Sequence, residues 1–203
     1  MDHVLRNGKI LLRPMKRSDV CDRIRWETED TEWQLWDGPW DYEGKTQEKL
    51  KKQLEELTTA WFSRAEHPVE QDPMLSLEIC VDDERQTHIG WLGAYYIDDD
   101  CCIVDDGKRL AVGITIVPQS VRRKGYAQAA LTLYIHYLFS CGVSEVYTQT
   151  WSGNTRMIRL AEKMGFSEFM RKKDLRLVRG QRYDGLTFRL LPGQLGVNRD
   201  GGP

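Results

Sequence analysis

The stretch VGITIVPQSVRRKGYAQAAL, from Val112 to Leu131, decides the fold because it joins a strand to a helix through a short basic turn. Its first part is rich in β-branched residues and ends at Pro118, which is typical of a strand. Its last part begins the mostly apolar segment GYAQAALTLYIHYLF, which predicts a helix that ends before Gly142. The turn is therefore expected to lie at the N-terminus of this helix.

The turn itself has the features of an anion-binding site. Arg122, Arg123 and Lys124 supply cationic donors, and Gly125 lets the backbone approach a ligand closely. The free N–H groups and the positive dipole end at the start of the helix favour a phosphate at the same place. The chain contains neither a G-x-x-x-x-G-K-[ST] loop nor a G-x-G-x-x-G loop, which disfavours ATP and NAD sites. The alternative is a basic turn that only caps a surface helix.

The other patterns indicate a mixed α/β fold. Alternating or continuous apolar runs predict further strands at KILLRPM, MLSLEICV, THIGWLGAYYI, EVYTQTW, DLRLVRG and RYDGLTFRLL. Helical spacing predicts helices at about Asp19 to Glu27, in TQEKLKKQLEELTTAWFSRA and in NTRMIRLAEKM. No repeat or linker separates these elements. We therefore expect one domain over residues 1–191, followed by a Gly-rich and flexible tail over residues 192–203.

Composition and charge exclude several classes of protein. The 203 residues carry a formal net charge of −2, without the basic excess of nucleic-acid-binding proteins. The five cysteines form no C-x-x-C pair, so we expect reduced thiols and no metal site. There is no apolar run near the length of a membrane span and no apolar leader at the start. The sequence predicts a cytoplasmic protein that binds neither nucleic acid nor a membrane.

The chain resembles the GNAT superfamily of acetyl-CoA-dependent N-acetyltransferases in three places. RRKGYA, Arg122 to Ala127, matches the R/Q-x-x-G-x-G/A loop that binds the cofactor pyrophosphate. NTRMIRLAEKMGF, Asn154 to Phe166, is similar to the second signature, in which an Asn opens the helix after the fifth strand and Gly-Phe closes it. LLRPMKRSD, Leu11 to Asp19, is similar to the opening of the branch with ribosomal-protein N-terminal acetyltransferases and several small-amine acetyltransferases. The resemblance covers about Ile10 to Leu191.

This resemblance implies a single-domain α/β (α+β) fold with a mixed, mostly antiparallel sheet of about seven strands and about four helices. The fourth and fifth strands of such folds splay apart, and the pantetheine arm of acetyl-CoA pairs with the fourth strand as an added strand would. The expected cofactor-binding residues are Ile114, Thr115, Ile116 and Val117 on that strand, then Arg122, Arg123, Lys124, Gly125, Tyr126 and Ala127 at the pyrophosphate, and Asn154 at the pantetheine or thioester.

Acetyl transfer to an amine requires a base, because a free alkyl amine has a pKa of about 10 and is mostly protonated at neutral pH. Candidate bases are Glu27, Glu32, Asp37 and Glu78. Glu78 lies within an apolar strand, where an unpaired carboxylate is costly. The alternative is that strand alternation directs it to solvent. We predict catalytic roles for Glu78, Asp37 and Asn154.

The family pattern is incomplete on the acid side of the reaction. Many members carry a Tyr seven residues after the signature Asn, and the N-terminal acetyltransferase branch often carries a Ser three after it. This chain has Ala161 and Met157 at those positions. The thiolate then leaves unassisted, a water or a Tyr such as Tyr126, Tyr95 or Tyr96 assists it, or turnover has been lost.

The segment WETEDTEWQLWDGPWDYEG, Trp26 to Gly44, combines four tryptophans with seven acidic residues and has no Lys or Arg. Aromatic faces and carboxylates together suit a cationic amine. The predicted acceptor-binding residues are Glu32, Trp33, Trp36, Asp37 and Trp40. The alternative is that the tryptophans seal the first helix against the sheet while the acids form a solvated rim.

The sequence therefore predicts an N-acetyltransferase that moves acetyl from acetyl-CoA to a primary amine, either a cationic small molecule or a protein N-terminus. Two alternatives stay open: an acyl-CoA-binding sensor without turnover, and a module that binds a partner through the Trp-rich acidic segment. The sequence also leaves a homodimer open.

Overall fold

The computed structural model describes residues 4–68 and 73–196, which contain four α-helices and nine strands. The helices are α1 (Asp19–Thr28), α2 (Gln47–Glu66), α3 (Tyr126–Ser140) and α4 (Thr155–Lys163). The strands are β1 (Leu5–Arg6), β2 (Ile10–Arg13), β3 (Ser76–Val81), β4 (His88–Ile97), β5 (Ile103–Val104), β6 (Arg109–Ile116), β7 (Val146–Trp151), β8 (Ser167–Val178) and β9 (Gln181–Leu190).

The prediction of a mixed α/β fold with a mostly antiparallel sheet is confirmed. Seven of the strands are those expected from the sequence, and the other two, β1 and β5, have two residues each. Such short strands carry no periodicity, so the sequence could not reveal them. In the described ranges, no helix is both long and apolar enough to cross a membrane.

The chain divides into two compact units: Met1–Leu92 with Ile114–Ala130, and Gly93–Gly113 with Leu131–Pro203. The first unit contains β1, β2, β3, α1 and α2. Its strands β1, β2 and β3 pair antiparallel, with Leu11 opposite Cys80 in the β2–β3 ladder. The apolar face of α2 packs on the start of α1 through Trp61, Met15 and Val20. This apolar spacing is the one that the sequence predicted for both helices.

The end of β6 also belongs to the first unit, where it lies against β4. The Val117 N–H donates to the Ile89 carbonyl oxygen at 3.0 Å. Gly90 permits this approach, because a Cβ there would lie 2.0 Å from the Thr115 carbonyl oxygen and 3.1 Å from the Ile116 Cα. The strand that carries the expected pantetheine-binding residues is thus held by a position that only glycine fits.

The second unit contains the remaining ladders. Strand β6 pairs in parallel with β7 near the start of both, with Leu110 opposite Val146 and Ala111 opposite Tyr147. Strand β9 pairs antiparallel with β7 on one side and β8 on the other. The parallel ladder between β6 and β7 matches the resemblance, in which these are the fourth and fifth strands.

The predicted flexible tail begins with ordered backbone. Pro192–Gln194 form a 3₁₀ helix, and the Gly196 N–H donates to the Met164 carbonyl oxygen at 3.2 Å. The rest of that prediction, at 197–203, lies outside the described residues. The limits of the predicted domain at 1–191 stay a prediction.

Replacing Gly90 by Ala is expected to lower the free energy of unfolding by about 2 kcal/mol, or roughly 4–8 °C in Tm, because the added Cβ overlaps the β6 backbone. Gly113→Ala is the matched control, since nothing lies within 4 Å of a Cβ at that strand position. Thermal unfolding of both variants measures the difference. Equal Tm values would contradict the close β4–β6 approach.

Candidate active site

The basic loop, Arg122 to Ala127, leads into the N-terminus of α3. Arg123 and Gly125 both have left-handed backbone, with φ of +61° and +77°. Such turns direct successive N–H groups to one side and form concave anion sites. The Ala129 N–H is bonded to the Gly125 carbonyl oxygen at 3.0 Å, so the amides of the preceding turn have no acceptor within the helix. Arg123, Lys124 and Gly125 are exposed, and Tyr126 and Ala127 are half-buried.

Lys9 adds a cation to this loop that sequence reasoning missed. Its Nζ would lie 3.3 Å from a Cβ on Gly125, and it stands 5.5 Å from the centroid of the Tyr126 ring. The β1–β2 turn that carries Lys9 is held to α3 by the Asn7 side chain, which donates to the Ala129 carbonyl oxygen at 3.3 Å. No sequence signal links residues so far apart in the chain.

The Arg122 side chain is directed away from the loop. Its guanidinium forms an ion pair with Glu32 and donates to the Val117 carbonyl oxygen at 2.8 Å. Glu32 also accepts from the Trp36 indole N–H at 2.9 Å. Arg122 thus joins the acidic Trp-rich segment to the basic loop. Because its side chain is engaged there, the predicted contact of Arg122 with the pyrophosphate would have to come from its backbone.

The backbone carbonyl of Thr115 and the backbone N–H of Val117 face β4, as their contacts at Gly90 and Ile89 show. Because backbone groups alternate along a strand, Ile114 and Ile116 direct their N–H and carbonyl groups to the opposite edge of β6.

Asp37 contacts the same strand. The Thr115 hydroxyl donates to the Asp37 Oδ2 at 2.7 Å. Desolvation by the surrounding protein raises the pKa of the Asp37 carboxyl, although the residue retains an exposed surface. A carboxyl group with a raised pKa beside the expected pantetheine-binding strand is a candidate base.

Trp33 is buried and has a structural role. It is 7% exposed, donates its indole N–H to the Trp26 carbonyl oxygen at 2.9 Å, and packs edge-on against Trp91 and Tyr42. The alternative interpretation, that the tryptophans pack on the first helix, is therefore correct for Trp33. Trp36 and Trp40 are half-buried and retain surface for a ligand.

Most acids of this segment are exposed, as the solvated-rim alternative expects, but at least three of the seven have defined partners. Glu27, on the last turn of α1, accepts from the Tyr42 hydroxyl and from the Gln34 amide, both at 3.1 Å. Burial raises the pKa of Glu27 against the opposing effect of these bonds and of Arg23. Glu32 is held by Arg122 and Asp37 by Thr115, so all three acids have defined partners.

Glu78 lies in a buried ionic network rather than at the surface. It is 1% exposed, so the solvent-facing alternative is wrong. Its Oε2 lies 2.8 Å from the His88 Nε2 and 3.4 Å from the Arg23 Nε. His88 in turn contacts Asp22 through Nδ1 at 3.1 Å. Sequence reasoning missed His88, which comes ten residues after Glu78 on the next strand of a hairpin.

Asn154 caps a helix. Its Oδ1 accepts from the Met157 N–H at 3.1 Å at the start of α4, and the residue is 8% exposed. This cap explains why an Asn opens the second signature. In the described ranges, no group of three or more His, Cys, Asp and Glu side chains has an arrangement that could hold a metal ion.

Comparison with known proteins identifies the family. A model of the acetyltransferase (GNAT) domain matches residues 9–167. Solved structures share the fold at low identity. An acetyltransferase of the GNAT family from Bacillus anthracis has a TM-score of 0.64 at 12% identity, covering 93% of this chain and 98% of that one. A GCN5-related N-acetyltransferase from Brucella melitensis has a TM-score of 0.64 at 18% identity, with 96% and 80% covered.

A third structure, spermidine N-acetyltransferase from Vibrio cholerae in complex with CoA and spermine, has a TM-score of 0.65 at 16% identity. The match covers 93% of this chain and 98% of that one. No curated protein matches the sequence. The family match extends over most of the chain, so the chain belongs to the GNAT acetyltransferase family. The predictions of an acetyl-CoA-dependent N-acetyltransferase and of acetyl-CoA as its cofactor are confirmed.

The ion pair that anchors the start of α1 yields a stability prediction. The Arg13 guanidinium donates to both Asp19 oxygens, at 2.6 and 2.9 Å, and the Lys16 N–H donates to one of them. Burial alone would raise the pKa of Asp19, but these bonds outweigh burial and lower it. Asp19→Asn leaves Arg13 buried without its charge partner, so we expect a loss of about 3–5 kcal/mol at pH 7.

The pH dependence of this loss follows from the lowered pKa of Asp19. The contribution is present above the unfolded-state pKa of about 3.9 and is lost as pH falls through the lower folded-state pKa. Denaturant unfolding of both proteins between pH 7 and pH 2 measures it. Glu55→Gln, which breaks an exposed pair with Lys51, is the control and should cost about 0.5 kcal/mol or less. A pH-independent difference would contradict the assignment.

Proposed function

We propose that this protein transfers acetyl from acetyl-CoA to a primary amine, a cationic small molecule or a protein N-terminus, by direct attack of the amine on the thioester. The observation that carries the proposal is the position of Asp37. Its carboxyl is bonded to Thr115 at 2.7 Å, on the strand that runs into the basic loop. A base bonded to that strand would lie beside the expected cofactor arm, which supports a role in accepting the proton of the amine.

The basic loop fits the pyrophosphate of the cofactor. It offers backbone amides at the start of α3, two left-handed residues that make the turn concave, and the cations Arg123, Lys124 and Lys9. Arg122 supports the loop through its bond to Val117 and its ion pair with Glu32. The backbone groups of Ile114 and Ile116 would hold the pantetheine arm as an added strand. When bound, acetyl-CoA supplies an activated acyl thioester.

Asp37 is proposed as the base that accepts a proton from the acceptor ammonium, which leaves the neutral amine that attacks the thioester carbonyl and displaces the CoA thiolate. Desolvation holds its pKa above the usual range for Asp, which brings it nearer to that of an amine. Glu78 is a weaker candidate, because His88 and Arg23 already compensate its charge and it is 1% exposed. Asn154 is kept as a proposed cofactor contact beside its role as a helix cap.

The half-buried rings of Trp36 and Trp40, with Glu32 and Asp37, are proposed to bind the acceptor ammonium. A cation over a Trp ring gains about 0.5–2 kcal/mol. The match to a fold whose Vibrio cholerae member acts on spermidine supports a small-amine acceptor. The homodimer and the cytoplasmic location stay predictions from the sequence.

Acetyl-CoA at a hundredfold excess over its Kd is expected to raise the Tm by roughly 5–10 °C, whereas ATP and NAD leave it unchanged. Gly125→Ala should weaken acetyl-CoA binding about tenfold, since its Cβ strains the turn where the phosphate approaches. Gly142→Ala is the matched control, because Gly142 also has left-handed backbone, with φ of +86°, and open space at its Cβ. If both variants bound acetyl-CoA with equal affinity, the basic loop would not be part of the cofactor site.

Asp37→Asn is expected to lower kcat/KM for the acceptor amine by about 10²–10⁴ while the acetyl-CoA affinity stays within a few-fold. In the wild type, kcat/KM should fall as pH drops through the raised pKa of Asp37, and this limb should be absent from the variant. Steady-state assays on an amine panel measure both. Asp30→Asn, an exposed acid paired with Arg25, is the control.

If Asp37→Asn kept the wild-type kcat/KM for the acceptor amine, the base would have to be a residue other than Asp37. A clear Tm rise with acetyl-CoA and no acetylation of any amine would instead support an acyl-CoA-binding sensor without turnover. Met157 and Ala161, which stand where many family members carry a Ser and a Tyr hydroxyl, favour this alternative.

A further inference from the structure

A pocket of about 320 Å³ lies in the first unit between α1, α2 and the acidic Trp-rich segment. Trp61 and Trp91 form aromatic walls, and Leu57 adds apolar surface. Four charged side chains line it: Arg23, Glu27, Asp41 and Lys45. The predicted acceptor-binding residues are not part of its lining, and sequence reasoning did not predict this pocket.

Arg23 is the unusual member of the lining. Its side chain is 6% exposed, and its guanidinium carbon lies 3.7 Å from the centroid of the Trp91 ring and 5.4 Å from that of Trp61. Its Nε is 3.4 Å from Glu78, which is an ion pair without hydrogen-bond geometry. Within the described residues, Arg23 donates no hydrogen bond. Of its donors, the buried Nε–H has no acceptor, and a buried donor without an acceptor is costly.

The aromatic rings determine how a ligand can reach this guanidinium. The Trp91 ring lies at stacking distance from the guanidinium and the Trp61 ring lies farther off, so approach in the plane of the guanidinium is the route on which its N–H groups can donate. The ligand that matches a planar fork is a group with two coplanar oxygens, as in a carboxylate. Desolvation lowers the pKa of Arg23, which means that the protein alone compensates its charge incompletely.

The charged side chains that line the pocket are balanced in number, and Arg23 is also paired with the buried Glu78. Two cations, Arg23 and Lys45, face two acids, Glu27 and Asp41. Burial raises the pKa of Glu27 and so favours its neutral form, and its carboxyl is already bonded to Tyr42 and Gln34. A pocket without excess negative charge is a poor site for a polyamine.

We propose that the acceptor is an amine that also carries a carboxylate, and that this carboxylate binds to Arg23 between Trp61 and Trp91. The inference rests on the proposed function, and it narrows the acceptor from cationic amines in general to compounds of the amino-acid type. Arg23 is then a specificity-determining residue, and the aromatic walls favour a flat or apolar body next to the carboxylate.

The test measures binding rather than turnover, with 3-phenylpropionate and 3-phenylpropanamide as probes in ligand-observed NMR titrations. The two probes differ in charge but hardly in shape. The wild type should bind the carboxylate at least about tenfold more tightly than the carboxamide, as expected for a charge-assisted fork. In Arg23→Met the ratio should fall to about one while the carboxamide Kd changes little.

Arg17→Met is the matched control. Arg17 also stacks on an aromatic ring, that of Phe62, and pairs with Glu66, but it does not line the pocket. This variant should keep the wild-type ratio. If Arg23→Met does not fold, Arg23→Lys keeps the positive charge and loses the fork, and the ratio should fall several-fold.

Equal Kd values for the two probes in the wild type, no binding of either, or an unchanged ratio in the folded Arg23 variants would each overturn the inference. The proposed function fails separately, by the absence of acetyl transfer. A carboxylate preference that depends on Arg23 stands even when no amine on the panel is acetylated.

Discussion

The burial of Trp33 between Trp26, Trp91 and Tyr42 is the packing contact on which the rest of the site depends. Burying a large aromatic side chain stabilises the fold by about 1.5–3 kcal/mol, and edge-to-face pairs add about 0.5–1.5 kcal/mol each. The Trp33 indole N–H also satisfies the Trp26 carbonyl oxygen near the end of α1. This anchor fixes the acidic segment, which leaves α1 at Thr28 and then forms two short 3₁₀ helices.

Once the segment is anchored, each of its carboxylates meets a different environment. Glu32 reaches Arg122 and so joins the segment to the basic loop, Glu27 reaches Tyr42, and Asp37 reaches Thr115 on β6. The same aromatic cluster includes Trp91, against which Arg23 stacks. One packing arrangement therefore places both the proposed base and the pocket with the buried guanidinium.

The sequence was sufficient where the signal is local. The helices α1 and α2 follow from apolar spacing, and the basic loop follows from Gly125 after three cations at the end of a strand. Both depend on residues within one or two turns of each other. The expected pantetheine strand is equally local, because β-branched residues run from Val112 to Val117 and stop at Pro118.

The sequence was insufficient where the contact joins distant parts of the chain. Lys9 reaches Gly125, and His88 reaches Glu78 and Asp22, only because β-strand pairing brings their elements together. Strand alternation could not decide which face of β3 carries Glu78, since either face satisfies the pattern. Likewise, the buried Trp33 and the half-buried Trp36 have the same sequence surroundings, and packing alone distinguishes them.

The surroundings of Glu78 and Asp37 differ, and the difference decides which is the better base. Glu78 is buried between His88 and Arg23, which already occupy its carboxylate and leave it 1% exposed, so it offers no surface to an acceptor amine. Asp37 accepts from a neutral hydroxyl in a desolvated position, which favours the protonated form. A base must gain a proton during the reaction, so the environment that is less favourable to the carboxylate is the more suitable one. The buried network at Glu78 instead fixes Arg23, and through Arg23 the wall of the pocket.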